Sequence, residues 1–353
     1  MMKLKEDDNI EQKLQNLDIN NNNLNILKLN YIGSKRNLLP TYGEIFNKYI
    51  KKNCIFADFF CGTGIVSNYV KTNFNATIIA NDMQLFSYYI TKSRIVNYTD
   101  DEVDIIKYHF DKMNNLTNAG FFTKNYSDKY FTFNNCKKID GCRLYIESLT
   151  TEDKIKEYLI SSLISAADKV SNTASVYGAF LKHIKKSASN DLFLEHLPIV
   201  NNNQNGTDQF YNSNILDLRY ENEIDVLYLD PPYNSRQYGS NYHILETIAK
   251  YDNPILSGIT LLPPYKKSTF CSKAKNTAFN SLKEIINKFK YKILIMSYSS
   301  DGIINLDDIL TLFKQKGKTT LYEINYKKFQ SQKSSEKKNI IEYLIVCEIG
   351  VVE

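Results

Sequence analysis

The stretch Ile224-Asp225-Val226-Leu227-Tyr228-Leu229-Asp230-Pro231-Pro232-Tyr233 constrains this chain more than any other. Four consecutive apolar residues, Val226 to Leu229, run into two prolines, the pattern of a buried parallel strand with an abrupt end. Proline donates nothing to a strand ladder, so the carbonyls beside Pro231 and Pro232 are freed for other partners. Such a strand delivers Asp230 and Tyr233 to its carboxyl edge, where ligands bind in an open α/β sheet. A plain strand and Pro-Pro turn with a capping aspartate would use the same letters.

An acceptor-rich corner beside an aromatic ring suits one kind of chemistry. The lone pair of an exocyclic amine is delocalised into its ring and is a poor nucleophile. Asp230 and the Pro231 carbonyl can each accept one N–H and draw that nitrogen toward a tetrahedral shape, while Tyr233 stacks on the flat base. We read the motif as an amino-group clamp for methyl transfer.

A nucleotide-type turn precedes it. Cys54–Phe60 reads as a strand, Cys61-Gly62-Thr63-Gly64 as a turn and Ile65–Lys71 as a helix. Gly62 and Gly64 allow close backbone approach, but Ser67 replaces the third glycine of the dinucleotide fingerprint. A second strand, Ala76–Ala80, ends in Asn81-Asp82, and Asp82 lies 20 residues beyond Gly62, where a carboxylate meets ribose hydroxyls. NAD and S-adenosylmethionine share that ribose, and the missing pyrophosphate glycine favours the latter. Upstream, Leu29–Pro40 sets a Gly33 turn, Tyr31, Lys35 and Arg36 ahead of a helix over Pro40–Lys51, either folding over a ligand or simply starting the helix.

With 353 residues, 43% hydrophobic and 24% charged, the chain can bury a large core as one domain with an insertion or as two domains. No apolar run approaches the roughly 18 residues of a membrane span, and the Asn-rich start is no signal sequence. A cytoplasmic protein with a disordered leader over 1–25 is expected. Six cysteines without a Cys-x-x-Cys and four scattered histidines indicate buried free thiols and no metal site. Net charge is +5, which permits a nucleic-acid partner without announcing one. Basic runs at Lys182–Lys186, Lys266–Lys275 and Lys327–Lys338 favour a phosphate-facing surface over three unrelated solvated loops.

The sheet-like rhythm divides the chain into 26–99, an inserted and mainly helical domain over 100–205, and 206–353. Within the insert Thr151–Val170 reads as a helix, and Ser171–Lys182 as either a packed loop or a surface for bases. Asn214–Leu218 leads back toward the sheet, with Asp217 set to meet an adenine amino group. Gly239–Tyr251 reads as a helix and Tyr291–Tyr298 as a buried strand. Thr319–Tyr326 and Ile340–Glu348 flank a polar loop as a closing hairpin, which completes a seven-stranded α/β sheet.

In motif order the chain resembles the DNA adenine-N6 methyltransferases of the alpha group, the Dam or D12 class. Tyr31-Ile-Gly-Ser-Lys35 is similar to that family's N-terminal cofactor motif, Asp58 to Gly64 to its glycine motif, Asp82 to its ribose carboxylate and Asp230–Tyr233 to its catalytic motif. Asn234–His243 and Ser171–Lys182 further resemble the FokI-type modification enzymes. The resemblance implies a Rossmann-like fold with an inserted target-recognition domain. It also implies S-adenosylmethionine held by Tyr31, Lys35, Asp58, Phe60, Gly62, Gly64, Asp82 and Asp217, and a flipped adenine held by Asp230, Pro231, Pro232 and Tyr233. Double-stranded DNA would be the substrate, and a restriction endonuclease acting on the same site a functional partner. Methylation of RNA adenine, cytosine N4 or a glutamine amide, or an inactive nucleic-acid-binding relative, are the competing readings.

Overall fold

The computed structural model describes residues 2–3, 29–195, 207–326 and 340–350. Its apolar runs become one mixed sheet of β1 (Met2–Lys3), β2 (Ile55–Asp58), β3 (Thr77–Asn81), β4 (Gln209–Tyr211), β5 (Ile224–Leu229), β6 (Tyr291–Ser299), β7 (Gly317–Tyr326) and β8 (Ile340–Ile349). The order is β1-β7-β8-β6-β5-β2-β3-β4, parallel except where β8 runs antiparallel between β6 and β7. The strand beyond the seven expected is β1, whose two residues pair with Tyr322 and Glu323 at the edge. They are also the only part of the expected 1–25 leader among the described residues. The Lys327–Lys338 basic run and its loop lie outside them.

The helices are α1 (Leu39–Tyr49), α2 (Ile65–Phe74), α3 (Leu85–Ile95), α4 (Asp100–Asn114), α5 (Phe121–Tyr126), α6 (Phe133–Ser148), α7 (Asp153–Lys169), α8 (Tyr238–Asn241), α9 (His243–Lys250), α10 (Thr277–Lys288) and α11 (Leu306–Lys314). Side chains alternate between sheet faces along each strand. Phe56, Ile78, Val226, Tyr228, Ile295 and Leu344 therefore pack with α1 and α2. Their neighbours Ala57, Ile79, Leu227, Leu294 and Ile345 pack on the other face with α10 and α11. Both faces are covered, which is why these strands read as continuous apolar runs.

The helical segment from α4 to α7 lies in the expected insert, and its N-terminus is fixed by a capping box: the Thr99 amide donates to Glu102 Oε2 at 2.8 Å, and the Glu102 amide to Thr99 Oγ1 at 3.3 Å. Its core of Phe110, Phe122, Tyr130, Ile139, Tyr158 and Leu163 continues onto Phe86 and Ile90 of α3 and onto Leu245 and Ile248 of α9. The segment thus buries its apolar faces against the helices of the sheet.

The return to the sheet differs from the expectation. The strand is the three-residue β4, too short to show a period, and Asn214–Leu218 forms a turn in which the Asp217 and Leu218 amides donate to the Asn214 carbonyl at 2.8 and 3.1 Å. Because the chain leaves β2 toward β3 on one side and resumes at β5 on the other, the carboxyl ends of β2 and β5 sit at the point where the strand order reverses. That is where an open α/β sheet leaves a crevice.

Candidate active site

A cleft opens over these strand ends. Backbone bonds knit its floor together: the Phe59 amide donates to the Tyr228 carbonyl at 3.4 Å, and the Cys61 amide to that of Asn81 at 3.1 Å. The turn between them needs its glycines. Gly62 (φ +53°) and Gly64 (φ +68°) occupy the left-handed region, and a Cβ on Gly62 would lie 2.9 Å from the Tyr31 ring. At Gly64 it would lie 2.9 Å from the Thr91 Cα, so Gly62 makes room for Tyr31 and Gly64 for α3.

Two carboxylates end the adjacent strands. Asp82 accepts the Gly62 amide on Oδ2 at 2.9 Å and the Gln84 amide on Oδ1 at 2.8 Å, yet burial still pushes its carboxyl up to about 7. Asp58 accepts the Ser67 hydroxyl on Oδ2 at 2.6 Å, while its buried Oδ1 has no partner. Burial, opposed by the Ser67 bond, pushes the Asp58 carboxyl up to about 7 as well. Ser67, the departure from the dinucleotide fingerprint, is thus the residue that orients Asp58.

The clamp forms at the end of β5. Asp230 Oδ1 lies 3.0 Å from the Lys35 ammonium, which is itself 3.0 Å from Glu342 Oε1 on β8. Glu342 Oε1 also accepts the Ser297 hydroxyl at 2.7 Å, and Ser297 in turn accepts that of Tyr42 at 3.0 Å. Burial pushes the Asp230 carboxyl up to about 6, against the pull of Lys35 and with a smaller push from Glu342. Lys35 is held well above its usual range, the two carboxylates outweighing burial. The Tyr233 ring meets Tyr298 edge-on with centroids 6.4 Å apart, and its carbonyl accepts the Ile303 amide at 2.8 Å. Pro231 and Pro232 line the cleft beside it, and Phe60 stands edge-on to Phe270 at 5.2 Å.

A strap over 29–35 brings Tyr31 and Lys35 to this edge. Tyr31 stacks on Tyr242 with centroids 5.1 Å apart. The Ile32 amide donates to the Tyr242 hydroxyl at 2.7 Å, and the Tyr238 hydroxyl donates to the Ile32 carbonyl at 3.1 Å. From the helical side Asp168 accepts the Asn30 amide at 2.9 Å and the Tyr177 hydroxyl at 2.8 Å. These partners, with Ser297 and Glu342, escaped the sequence reading because each lies far along the chain from the motif it serves.

Tyr31, Lys35, Asp58, Phe60, Gly62, Asp82 and Asp230 to Tyr233 all line the cleft. Gly64 sits behind it against α3, and Asp217 is exposed on the turn while Ser213, Asn214 and Ile215 line the wall. Ser171–Lys182 is in part a packed loop: buried Asn172 donates its side-chain amide to the Lys129 and Leu181 carbonyls and accepts the Lys185 amide at 3.0 Å. The Lys185 ammonium donates to the Thr173 carbonyl at 2.7 Å.

The profile of the D12 class N6 adenine-specific DNA methyltransferases matches residues 31–300, from the strap to just past β6. Modification methylase StsI of Streptococcus sanguinis and Type II methyltransferase M.FokI of Planomicrobium okeanokoites are each 35% identical over 91% of this chain. The chain spans about half the length of these two relatives, 52% of each. Type II methyltransferase M.NlaIII of Neisseria lactamica is 35% identical over 91% of this chain and 99% of its own length. A matched segment that carries strap, glycine turn and clamp in one order, and a relative aligned almost end to end, place the chain in the family of D12 class N6 adenine-specific DNA methyltransferases.

Proposed function

We propose that this chain methylates the N6 amine of an adenine swung out of double-stranded DNA at a specific site, as the modification half of a restriction-modification system in the cytoplasm. The observation that carries the reading is the half-buried Asp230 carboxylate at the carboxyl end of β5, beside Tyr233 and fixed by Lys35. Among the described residues no helix is long and apolar enough to cross a membrane.

S-adenosylmethionine fits the other half of the cleft. The orphaned Asp58 Oδ1 is a buried acceptor of the kind a cationic amine satisfies, the Asp82 carboxylate suits ribose hydroxyls, and Gly62 keeps the turn free of a side chain. Tyr31, Phe60 and the Gly62 turn would cover its flat and apolar parts. Gly64 serves through α3, and the Asn214–Ile215 wall stands where Asp217 was expected. When bound, this group supplies an electrophilic methyl on a sulfonium that leaves as a neutral thioether. Asp230 and the Pro231 carbonyl hold the two N–H groups of the target, so the nitrogen's lone pair is aimed outward as it forms the new bond. The positive charge developing on that nitrogen is stabilised by the carboxylate, which is also the nearest group to receive its proton. Tyr233 holds the extruded base by its face.

The helical segment within 100–205 would form the target-reading wall. Exposed Lys182 and Lys186 beyond α7, and Lys266 and Lys267 beside the cleft, are free to meet phosphates.

Tritiated methyl incorporation into duplex DNA tests the reading. Asp230→Ala should lower turnover by a factor on the order of 10² or more, the loss seen when a preorganised charge stabiliser is removed. Cofactor affinity measured by calorimetry should stay nearly the same. Ordinary turnover in Asp230→Ala would remove this strand end as the catalytic centre.

A further inference from the structure

We infer that Glu342, delivered from the far end of the chain by β8, is a positioning residue for the clamp: it shares the Lys35 ammonium so that Asp230 remains a strong acceptor. This inference rests on the proposed role of Asp230, and it concerns a residue beyond the matched segment 31–300.

The geometry is a buried relay. Lys35 and Glu342 are only 4% and 6% exposed, and the ammonium lies 3.0 Å from one oxygen of each carboxylate. One cation between two anions leaves the corner with an excess of one negative charge. An Asp230–Lys35 pair without Glu342 would be neutral, and the whole ammonium charge would fall on the oxygen that must accept an N–H from the target. Coulomb interactions at such distances are weakly screened inside a protein. Sharing the cation therefore sets how much acceptor strength Asp230 retains. Glu342 is in turn held by Ser297, itself held by Tyr42, so its carboxylate has one place to sit. β8 enters the sheet beside β6, and Glu342 pairs with Ser299 there, which brings it alongside the strand next to Asp230.

The other groups facing Asp230 do not duplicate this. Asp58 on β2, Tyr42 on α1, Tyr228 on β5, and Tyr233 and Tyr238 beyond the clamp all feel its charge. None of them is bonded to Lys35. The carboxyl of Asp230 lies at about 6, and the Glu342 charge is the largest upward push on it after burial. An acid held above its ordinary value by a neighbouring anion falls back when that anion is neutralised.

Glu342→Gln keeps the shape and removes the charge. We expect turnover to fall roughly tenfold, the size of a general acid–base contribution partly lost, with KM for DNA and cofactor unchanged. The acid limb of the turnover–pH profile should move to lower pH than in wild type, following the Asp230 carboxyl, which lies at about 6 with Glu342 in place. Glu342→Asp keeps the charge and should bring the limb back. A second readout needs no activity: in the cofactor-free protein the fall in thermal stability as pH rises from about 4 to 6 should be flatter in Glu342→Gln than in wild type. An acid limb that stays in place in Glu342→Gln, or a stability slope that does not change, overturns the inference. A moved stability slope in a protein that methylates nothing would instead leave the Glu342–Asp230 coupling standing and sink the proposed function.

Discussion

Two buried aspartates show how differently this molecule treats the same side chain. Asp140, on α6, accepts four hydrogen bonds: the Phe122 amide and Tyr251 hydroxyl on Oδ1 at 2.9 and 2.8 Å, and the Thr123 amide and hydroxyl on Oδ2 at 2.8 and 2.7 Å. Asp58, equally buried at the end of β2, accepts one side-chain bond and leaves its other oxygen empty. Buried polar groups are ordinarily satisfied because an unmade bond costs the full desolvation penalty. Asp140 in the helical segment obeys that rule and Asp58 in the cleft does not. Asp140 is therefore read as structural, pinning the start of α5 to α6 and to the residue after α9. Asp58 is read as waiting for a ligand, the kind of local violation that marks a functional site.

Asp140→Ala should break the comparison hardest. Removing an acceptor with four partners strands four donors, so the expected loss is about 3–5 kcal/mol of stability, seen as a lowered midpoint in urea unfolding. Asp58→Asn should do the reverse, leaving stability unchanged or raised while weakening cofactor binding. If the two variants lost similar stability, the distinction between structural and waiting carboxylates would fail.

Titration gives a smaller but more selective signal. Asp58 and Asp82 lie at about 7 and Asp230 at about 6 in the folded chain, against about 3.9 for an unfolded aspartate. Between those limits the folded state keeps protons that the unfolded chain has lost, so stability falls as pH rises from about 4 to 7 and is fully present below that window. Asp168, also raised by burial, works in the same direction. The cleft share is isolated by comparing wild type with Asp58→Asn, whose slope should be flatter over pH 5 to 7. Parallel slopes would mean that Asp58 is ionised throughout.

What could be read from the sequence follows from distance along the chain. Gly62, Gly64, Asp82 and the Asp230–Tyr233 run are legible because a strand end and its turn are contiguous, and the chemistry of each is fixed by neighbours within a few positions. Both faces of the sheet were legible too, since Val226–Leu229 and Ile293–Met296 are apolar without a break. Glu342 was not, because nothing local in Ile341-Glu342-Tyr343 distinguishes a buried ligand of Lys35 from an ordinary outward residue of an alternating strand. Asp168 was hidden for the same reason, its partner Asn30 lying 138 residues away along the chain. Asp217 was expected at a strand end facing the ligand, whereas the strand there ends at Tyr211 and Asp217 lies exposed within the Asn214–Leu218 turn. The Thr99–Glu102 capping box was a local signal for the first helix of the insert that went unread.

The smallest effects sharpen the contrast most, because a single hydroxyl is at stake. Tyr177 donates its hydroxyl to Asp168 Oδ1 at 2.8 Å, within the bridge from the helical segment to the strap. Tyr228, on β5 beneath the clamp, has a fully buried hydroxyl with no hydrogen-bond partner. Tyr177→Phe removes a made bond to a buried carboxylate and should cost about 1–3 kcal/mol. It should also loosen the strap, since Asp168 holds Asn30 as well. Tyr228→Phe removes only a polar atom that had already lost its water, so its stability should match or slightly exceed that of wild type. Both rings stay in place, so neither variant opens a cavity to confuse the reading. Chemical unfolding of the two proteins side by side decides it. If Tyr228→Phe were the more damaging change, its hydroxyl would have an essential partner in solution, and the contrast with Tyr177 would fail.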